Sequence, residues 1–275
     1  MERKLSIITV NRNNAGGLKK TIESVIAQTY NNFEFIIIDG ASTDYSVELI
    51  RGHADILSYW ISEPDKGTYH AMNKGIKASR GEYCFFLNSG DYMVDNKVFE
   101  KVFSQNINAD IVSGDILKMR SNNKFRRVCS PESISLHKLC IHSLPHQATL
   151  IRRSLFDEIG YYTESYKIAS DWEFFLKALV IYEKRYLHID VDFSYFKIGG
   201  ISSRKESLQL ARQESHDCLK RIFPKFVDDL MEYRYFYNSN FGQMISLIKK
   251  KKKLYKFIDN VCGWLLISKK TIAGK

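Results

Sequence analysis

The sequence predicts an α/β protein: a doubly wound, mainly parallel sheet with helices on both faces, followed by a helical C-terminal extension. Three observations carry this expectation. Over residues 5–91, short apolar runs alternate with segments of helical spacing. Each apolar run stops at a cluster of turn-forming polar residues. Past Ser203 only helical spacing remains.

Leu5 to Val10 reads as a buried strand, because it is apolar throughout rather than alternating. Leu18, Ile22, Val25 and Ile26 then recur at helical spacing, and Phe33 to Ile38 is a second apolar run ending at Asp39, which completes a βαβ unit. The same logic places a helix near Tyr45 to Arg51, a strand at Ile56 to Ile61, a helix around Tyr69 to Ala78 and a strand at Tyr83 to Leu87. Further on it places a strand at Ile111 to Ser113, edge strands around Lys124 to Val128 and an amphipathic helix after Ser170. The division falls at residue 203, with residues 1–203 as the α/β domain and 204–275 as the helical extension.

In such sheets ligands bind beyond the carboxyl ends of the strands. The strand ends here feed one polar rim: Asn11-Arg12-Asn13, then Asp39-Gly40-Ala41-Ser42-Thr43-Asp44, then Glu63-Pro64-Asp65-Lys66-Gly67, then Asn88-Ser89-Gly90-Asp91.

Composition narrows the class. With 275 residues and 44% apolar content the chain has the material for a large core, so disorder of the whole is excluded. The five cysteines, Cys84, Cys129, Cys140, Cys218 and Cys262, are widely spaced and never form a Cys-x-x-Cys pair, which suits a reducing cytoplasm rather than a disulfide framework. The N-terminal apolar run is cut at Asn11, Arg12 and Asn13, too early for a secretion signal. Val261 to Ile267 falls far short of the roughly 20 residues that span a bilayer. Residues 203–275 hold 16 Lys and Arg against 7 Asp and Glu, so they carry +9 of the net +10. A nearly neutral body argues against a general nucleic-acid binder, and the basic tail argues for a polyanionic surface.

A departing diphosphate needs its negative charge neutralised, which a divalent cation on one or two carboxylates can do. Asp91, on a loop directly after an apolar strand, is placed for that, although an Asp in such a loop also serves as a plain turn former. The succession Ser6-Ile-Ile-Thr-Val-Asn-Arg-Asn, Ser24-Val-Ile-Ala-Gln-Thr-Tyr, Phe35-Ile-Ile-Ile-Asp-Gly-Ala-Ser-Thr-Asp, Glu63-Pro-Asp-Lys-Gly, Ala71-Met-Asn-Lys-Gly, Gly81-Glu-Tyr and Phe86-Leu-Asn-Ser-Gly-Asp resembles family 2 glycosyltransferases with the GT-A fold, in order and in spacing. The subgroup it is most similar to is that of bacterial polysaccharide enzymes of the colanic-acid type.

The resemblance implies an inverting transferase using a nucleotide-diphosphate sugar, Mg2+ or Mn2+, and a glycan or lipid-linked acceptor in surface-polysaccharide synthesis. It implies that Thr9, Asn11 and Asp39 line the nucleoside pocket, with Asp39 bonding the base, and that Asp65 and Lys66 lie along the donor. A strand-end Asp39 also serves simply to cap the following turn. Asn73 and Gly75 shape the same wall or end a helix. The family's metal motif is Asp-x-Asp or a variant; here Asn88-Ser89-Gly90-Asp91 keeps one acid, so phosphates and waters have to complete the coordination.

An inverting displacement needs a base on the face opposite the leaving group. The family's carboxylate at the start of a later helix matches Asp171 in Ile168-Ala-Ser-Asp-Trp-Glu-Phe-Phe-Leu, with Glu173 as the second choice. The bland reading makes Ser170 or Asp171 an N-cap and puts Trp172 on a core face; the functional one brings Trp172 and Glu173 to the acceptor or sugar. His146 and Gln147 resemble an element beneath the acceptor or sugar, though a His beside a strand is as often structural. Gly199 and Gly200 resemble a closing loop, or a plain turn. His137, Cys140, His142 and His146 fit no zinc template.

The run Lys249, Lys250, Lys251, Lys252, Lys253, flanked by Ile245, Leu247, Ile248, Leu254, Tyr255 and Phe257, reads as a basic amphipathic helix for an anionic membrane surface, which makes the protein cytoplasmic and peripheral on the inner face. A solvated helix face or a dimer contact is the alternative. For the whole chain the rival is a nucleotide-sugar-binding member of a glycan assembly complex without catalysis, motivated by the single-acid metal motif.

Overall fold

A computed structural model describes residues 4–119, 124–141, 143–196, 205–251 and 256–260. The chain divides into two compact units, Met1–Cys218 and Leu219–Lys275. The boundary therefore falls beyond residue 203, inside a helix.

The first unit opens with β1 (Leu5–Asn11), α1 (Ala15–Ile26), β2 (Phe33–Asp39), α2 (Ser46–Arg51), β3 (Tyr59–Ser62), α3 (Thr68–Ala78) and β4 (Tyr83–Phe86). These are the alternating elements that the hydrophobic pattern implies. One boundary differs: Ile56 and Leu57 are not in a strand. His53, Ala54 and Ile56 donate their N–H groups three residues back, and these turn bonds take up the stretch before β3 begins at Tyr59. The unit continues with β5 (Tyr92–Met93), α4 (Val98–Phe103), β6 (Ile111–Met119), β7 (Phe125–Val128), α5 (Leu136–Ile141), β8 (Thr149–Arg152), α6 (Ser154–Ile159), α7 (Ser170–Leu176), β9 (Tyr186–Phe196) and α8 (Lys205–Ile222).

The sheet has the order β3-β2-β1-β4-β8-β6-β9-β5, with β7 pairing outside β6. Its first four strands are parallel. Beyond β4 the sheet is mixed, because β8 runs antiparallel to both β4 and β6.

Residues of one strand sort by parity onto two buried faces, as a period of two requires. Leu5, Ile7, Phe35, Ile37, Tyr83 and Phe85 pack with Leu18, Ile22 and Val25 of α1. Ile8, Val10, Ile36, Ile38, Cys84 and Phe86 pack with Met72 and Ile76 of α3 and Phe174 and Phe175 of α7. Gly75 lets α3 come close: a Cβ there would lie 2.4 Å from the Ile8 methyl. Cys84, Cys129, Cys140 and Cys218 are not in disulfides.

In the second unit α9 (Val227–Asn238) and α10 (Asn240–Lys250) are joined at Ser239, whose hydroxyl caps α10 by accepting from the Gly242 N–H. The lysine run is not one helix: α10 ends at Lys250, within the run, and Lys252 and Lys253 lie outside the described residues. No helix among the described residues is long and apolar enough to cross a membrane.

Candidate active site

The parallel register sets Asn11 opposite Asp39 and Asp39 opposite Ser62, so three polar side chains meet at the carboxyl edge of the sheet. Asp39 is fully buried. Its Oδ1 accepts from the Asn11 amide at 2.8 Å and the Ser42 hydroxyl at 2.6 Å; its Oδ2 accepts from the Ser42 N–H at 2.9 Å and the Ser62 hydroxyl at 2.7 Å. Burial alone would raise the carboxyl's pKa, but these hydrogen bonds outweigh it and hold the group below its ordinary value. The four bonds use about all the acceptor sites of a carboxylate. Asp39 therefore caps its turn in this structure. The acceptor left over is next door: Asn11 Oδ1 is buried and has no hydrogen-bond partner.

Two residues outside glycine adopt left-handed backbone here, Asn13 at φ +50° and Ala41 at φ +55°. Asn13 Oδ1 accepts from the Thr43 N–H, and Ser42 Oγ accepts from the Asn13 N–H, so the loops after β1 and β2 brace each other in these strained conformations. Asp65 approaches from the loop after β3: a Cβ on Gly40 would lie 3.0 Å from Asp65 Oδ2. Its Oδ1 pairs with Lys74 at 2.6 Å and with His70 at 3.2 Å. Lys66 and Arg12 are exposed at this rim. Thr9 is fully buried, with its hydroxyl donated to Leu87 O at 2.7 Å. It joins β1 to the end of β4.

The Asn88–Asp91 loop is fixed from α1. Thr21 accepts from the Gly90 N–H and donates to Asp91 O, and the Asn14 amide donates to Ser89 O. Gly90 has φ +105°, a conformation that glycine takes without strain. Asp91 is 8% exposed. Asn88 Oδ1 is buried without a hydrogen-bond partner, an orphaned hard oxygen in the same loop as the carboxylate. Among the described residues, no group of three or more His, Cys, Asp or Glu side chains could hold a metal ion, and His142 of the zinc reading lies outside them.

Asp171 stands in the first turn of α7, capped at Ala169 rather than by Ser170 or Asp171. Its Oδ2 accepts from His146 Nδ1 at 3.2 Å, and its Oδ1 from the Trp172 N–H at 2.8 Å and the Tyr69 hydroxyl at 3.1 Å. His146 comes from a 3-10 turn (His146–Ala148) leading into β8, and its Nε2 lies 3.3 Å from the Asn88 amide. The imidazole therefore bridges the α7 carboxylate and the Asn88–Asp91 loop. Burial opposes its charged form, but the hydrogen bond to Asp171 and the charges of Asp171 and Asp91 outweigh this and hold its pKa above the ordinary 6.5.

The other expected residues serve the scaffold. Glu173 is 1% exposed, accepting from Thr163 and paired with Lys177, so it points away from Asp171. Trp172 is buried and donates its indole N–H to Leu139 O at 2.7 Å. Gln147 is buried, its main-chain carbonyl accepting from the Ser194 hydroxyl. Asn73 brackets Tyr162, accepting from its N–H and donating to its carbonyl. Gly199 and Gly200 lie outside the described residues. Tyr69, Ser42, Ser62 and Asn88 had no assigned role in the sequence; Tyr69 begins the helix that follows Asp65-Lys66-Gly67, which is the one signal that could have found it.

The model of the family described as "Glycosyl transferase family 2" matches residues 6–169, a span that holds the Asn11–Asp39 edge, the Asn88–Asp91 loop and His146. The chain belongs to glycosyltransferase family 2. Relatives include an uncharacterized glycosyltransferase of Mycobacterium tuberculosis, 34% identical over 210 residues, covering 74% of this chain and 78% of the relative. Another is a PGL/p-HBAD biosynthesis glycosyltransferase of Mycobacterium bovis, 32% identical, covering 72% and 78%.

Two solved structures of GT-A glycosyltransferases share the fold. S. aureus TarS 1-349 in complex with UDP-GlcNAc has a TM-score of 0.66 at 18% identity, covering 92% of this chain and 78% of that one. The mannosyltransferase PcManGT from Pyrobaculum calidifontis, in complex with GDP-Man and Mn2+, has a TM-score of 0.64 at 13% identity, covering 97% and 81%. This family 2 glycosyltransferase thus has the GT-A fold that the sequence leads one to expect.

The His146–Asp171 contact gives a direct prediction. In protein freed of divalent ions, NMR should show the His146 ring titrating above 6.5, and Asp171→Asn should lower its midpoint. An unchanged midpoint in that variant would break the pairing.

Proposed function

We propose that this glycosyltransferase is inverting and metal-dependent, moving a sugar from a nucleotide-diphosphate donor to a hydroxyl of a glycan or lipid-linked acceptor in bacterial surface-polysaccharide synthesis. One observation carries the reading: through His146, the carboxylate of Asp171 is tied to the loop that bears Asp91. A base and a leaving-group site have to lie on opposite sides of one anomeric carbon, and this link holds the two groups as one assembly. The ligands of TarS and PcManGT, UDP-GlcNAc in one and GDP-Man with Mn2+ in the other, support a nucleotide-sugar donor and a divalent ion.

In this mechanism the base of the nucleotide enters at the Asn11–Asp39–Ser62 edge. The unpartnered Asn11 Oδ1 is an acceptor for a ring N–H, such as uracil or guanine presents. The Ser42 or Ser62 hydroxyl turns aside if Asp39 is to accept as well. The Asn88–Asp91 loop suits Mg2+ or Mn2+: its donors are hard oxygens, and a site with one carboxylate leaves positions for phosphates and waters. When bound, the cation supplies charge neutralisation to the departing diphosphate. Asp171 uses three of about four carboxylate acceptor sites on Tyr69, His146 and Trp172, and the remaining one takes the acceptor hydroxyl's proton as the new glycosidic bond forms.

We place the enzyme at an anionic membrane through its C-terminal unit. The lysine run Lys249 to Lys253 and the exposed Phe241, Met244 and Leu247 of the second unit support this. Each cation near such a surface contributes about 1 kcal/mol.

Asp171→Asn should retain nucleotide binding, measured by calorimetry, and lose turnover by about a thousandfold or more, the scale of a removed general base; retained turnover would sink the assignment. Asp91→Ala should abolish the dependence of nucleotide binding on Mn2+, and unchanged dependence would show that the metal lies elsewhere. Replacing Lys249 to Lys253 with Gln should release the protein from anionic vesicles at physiological salt while leaving transfer to a soluble acceptor intact. Equal sedimentation of both forms with the vesicles would refute the membrane role.

A further inference from the structure

Helix α8 carries Glu214, a buried carboxylate at 6% exposure with no part in the chemistry above. Its Oε1 accepts from the Lys167 N–H at 2.7 Å, and its Oε2 accepts from the Ile168 and Ala169 N–H groups, both at 2.9 Å. A buried carboxylate is costly unless it is hydrogen-bonded, and here three consecutive amides serve that purpose. Those amides belong to the stretch that leads into α7, and Asp171 follows two residues after Ala169.

One peptide group is held from both sides. The amide between Ile168 and Ala169 gives its N–H to Glu214 and its carbonyl to the Tyr69 hydroxyl at 2.7 Å. That hydroxyl also lies 3.1 Å from Asp171 Oδ1, so a single proton is shared between the Ile168 carbonyl and the α7 carboxylate. Asp171 in turn meets His146. A displacement of the peptide plane moves Tyr69 and Asp171 together, and a base misplaced by about 1 Å loses rate out of proportion to any loss of binding.

We propose that Glu214 is a positioning residue for Asp171: its carboxylate, reaching in from helix α8, clamps the 167–169 backbone and so sets the direction of the catalytic carboxylate through the Ile168 carbonyl and Tyr69. This rests on the reading of Asp171 as the base. Glu214 touches neither the Asn11–Asp39 edge nor the Asn88–Asp91 loop in the bonds it makes, so donor binding is not its task. Gln in its place keeps the size but sets an NH2 group against amide donors.

The test compares full-length wild type, Glu214→Gln and Glu214→Asp for donor KM, kcat and the NMR resonances of the His146 ring. Glu214→Gln should lower kcat about tenfold with donor KM within about twofold, the pattern of a misplaced catalytic group. It should also shift the His146 resonances, although Glu214 does not contact that ring. Glu214→Asp, which keeps the charge on a shorter arm, should fall between; if the Gln variant does not fold, the Asp variant is read in its place. Unmoved His146 resonances, or wild-type kcat while Asp171→Asn is inactive, would overturn the proposal. If instead Asp171→Asn keeps turnover, the base assignment fails by itself, and the resonances still decide whether Glu214 holds Asp171.

Discussion

The alignment of three parallel strands is the constraint on which the rest of the site hangs. Asn11, Asp39 and Ser62 share one level of the sheet only because β1, β2 and β3 pair without a register shift up to their carboxyl ends. A slip of one residue would put an isoleucine in the place of Asp39 and turn each strand's two apolar rows to the opposite faces. Both faces are buried, so the packing that selects the register also brings the polar edge together. The bond network around Asp39, the paired strained loops and the approach of Asp65 to Gly40 all follow from it.

The second half of the site arrives by a different route. His146 comes from the turn before β8, the antiparallel strand between β4 and β6, while Asp171 comes from a helix on the α3 face. They meet over the end of β4, where the Asn88–Asp91 loop leaves the sheet. The loop is in turn held by Thr21 of the first helix and by Asn14, which caps that helix, from the opposite side. The proposed chemistry thus sits where three independently anchored segments converge, and no single segment contains it.

Carboxylates close together in the fold differ in burial. Glu173 and Glu214 are both buried, one closed by Thr163 and Lys177, the other by three backbone amides. The Asp171 side chain is still 15% exposed. Two carboxylates two residues apart in sequence therefore have different fates, because α7 turns one toward Tyr69 and His146 and the other toward its own next turn.

The alternating pattern of apolar runs and helical spacing was enough to give the α/β class, the elements from β1 to β4 and the polar rim, because strand parity and helix period are local properties of the chain. The candidates Asp39, Asp91, His146 and Asp171 could also be named one by one. Their partnerships were not: His146 and Asp171 are 25 residues apart, and Tyr69 reaches Asp171 across 102. Thr9, Trp172 and Glu173 look like site residues in sequence and are internal struts in the fold, since a hydroxyl, an indole or a carboxylate carries no mark of which way it will point. The antiparallel β8, the extension of the first unit past residue 203 and the grip of Glu214 on the α7 loop depend on long-range packing and on the need to satisfy buried polar groups. Those are decided only when the whole chain has closed on itself.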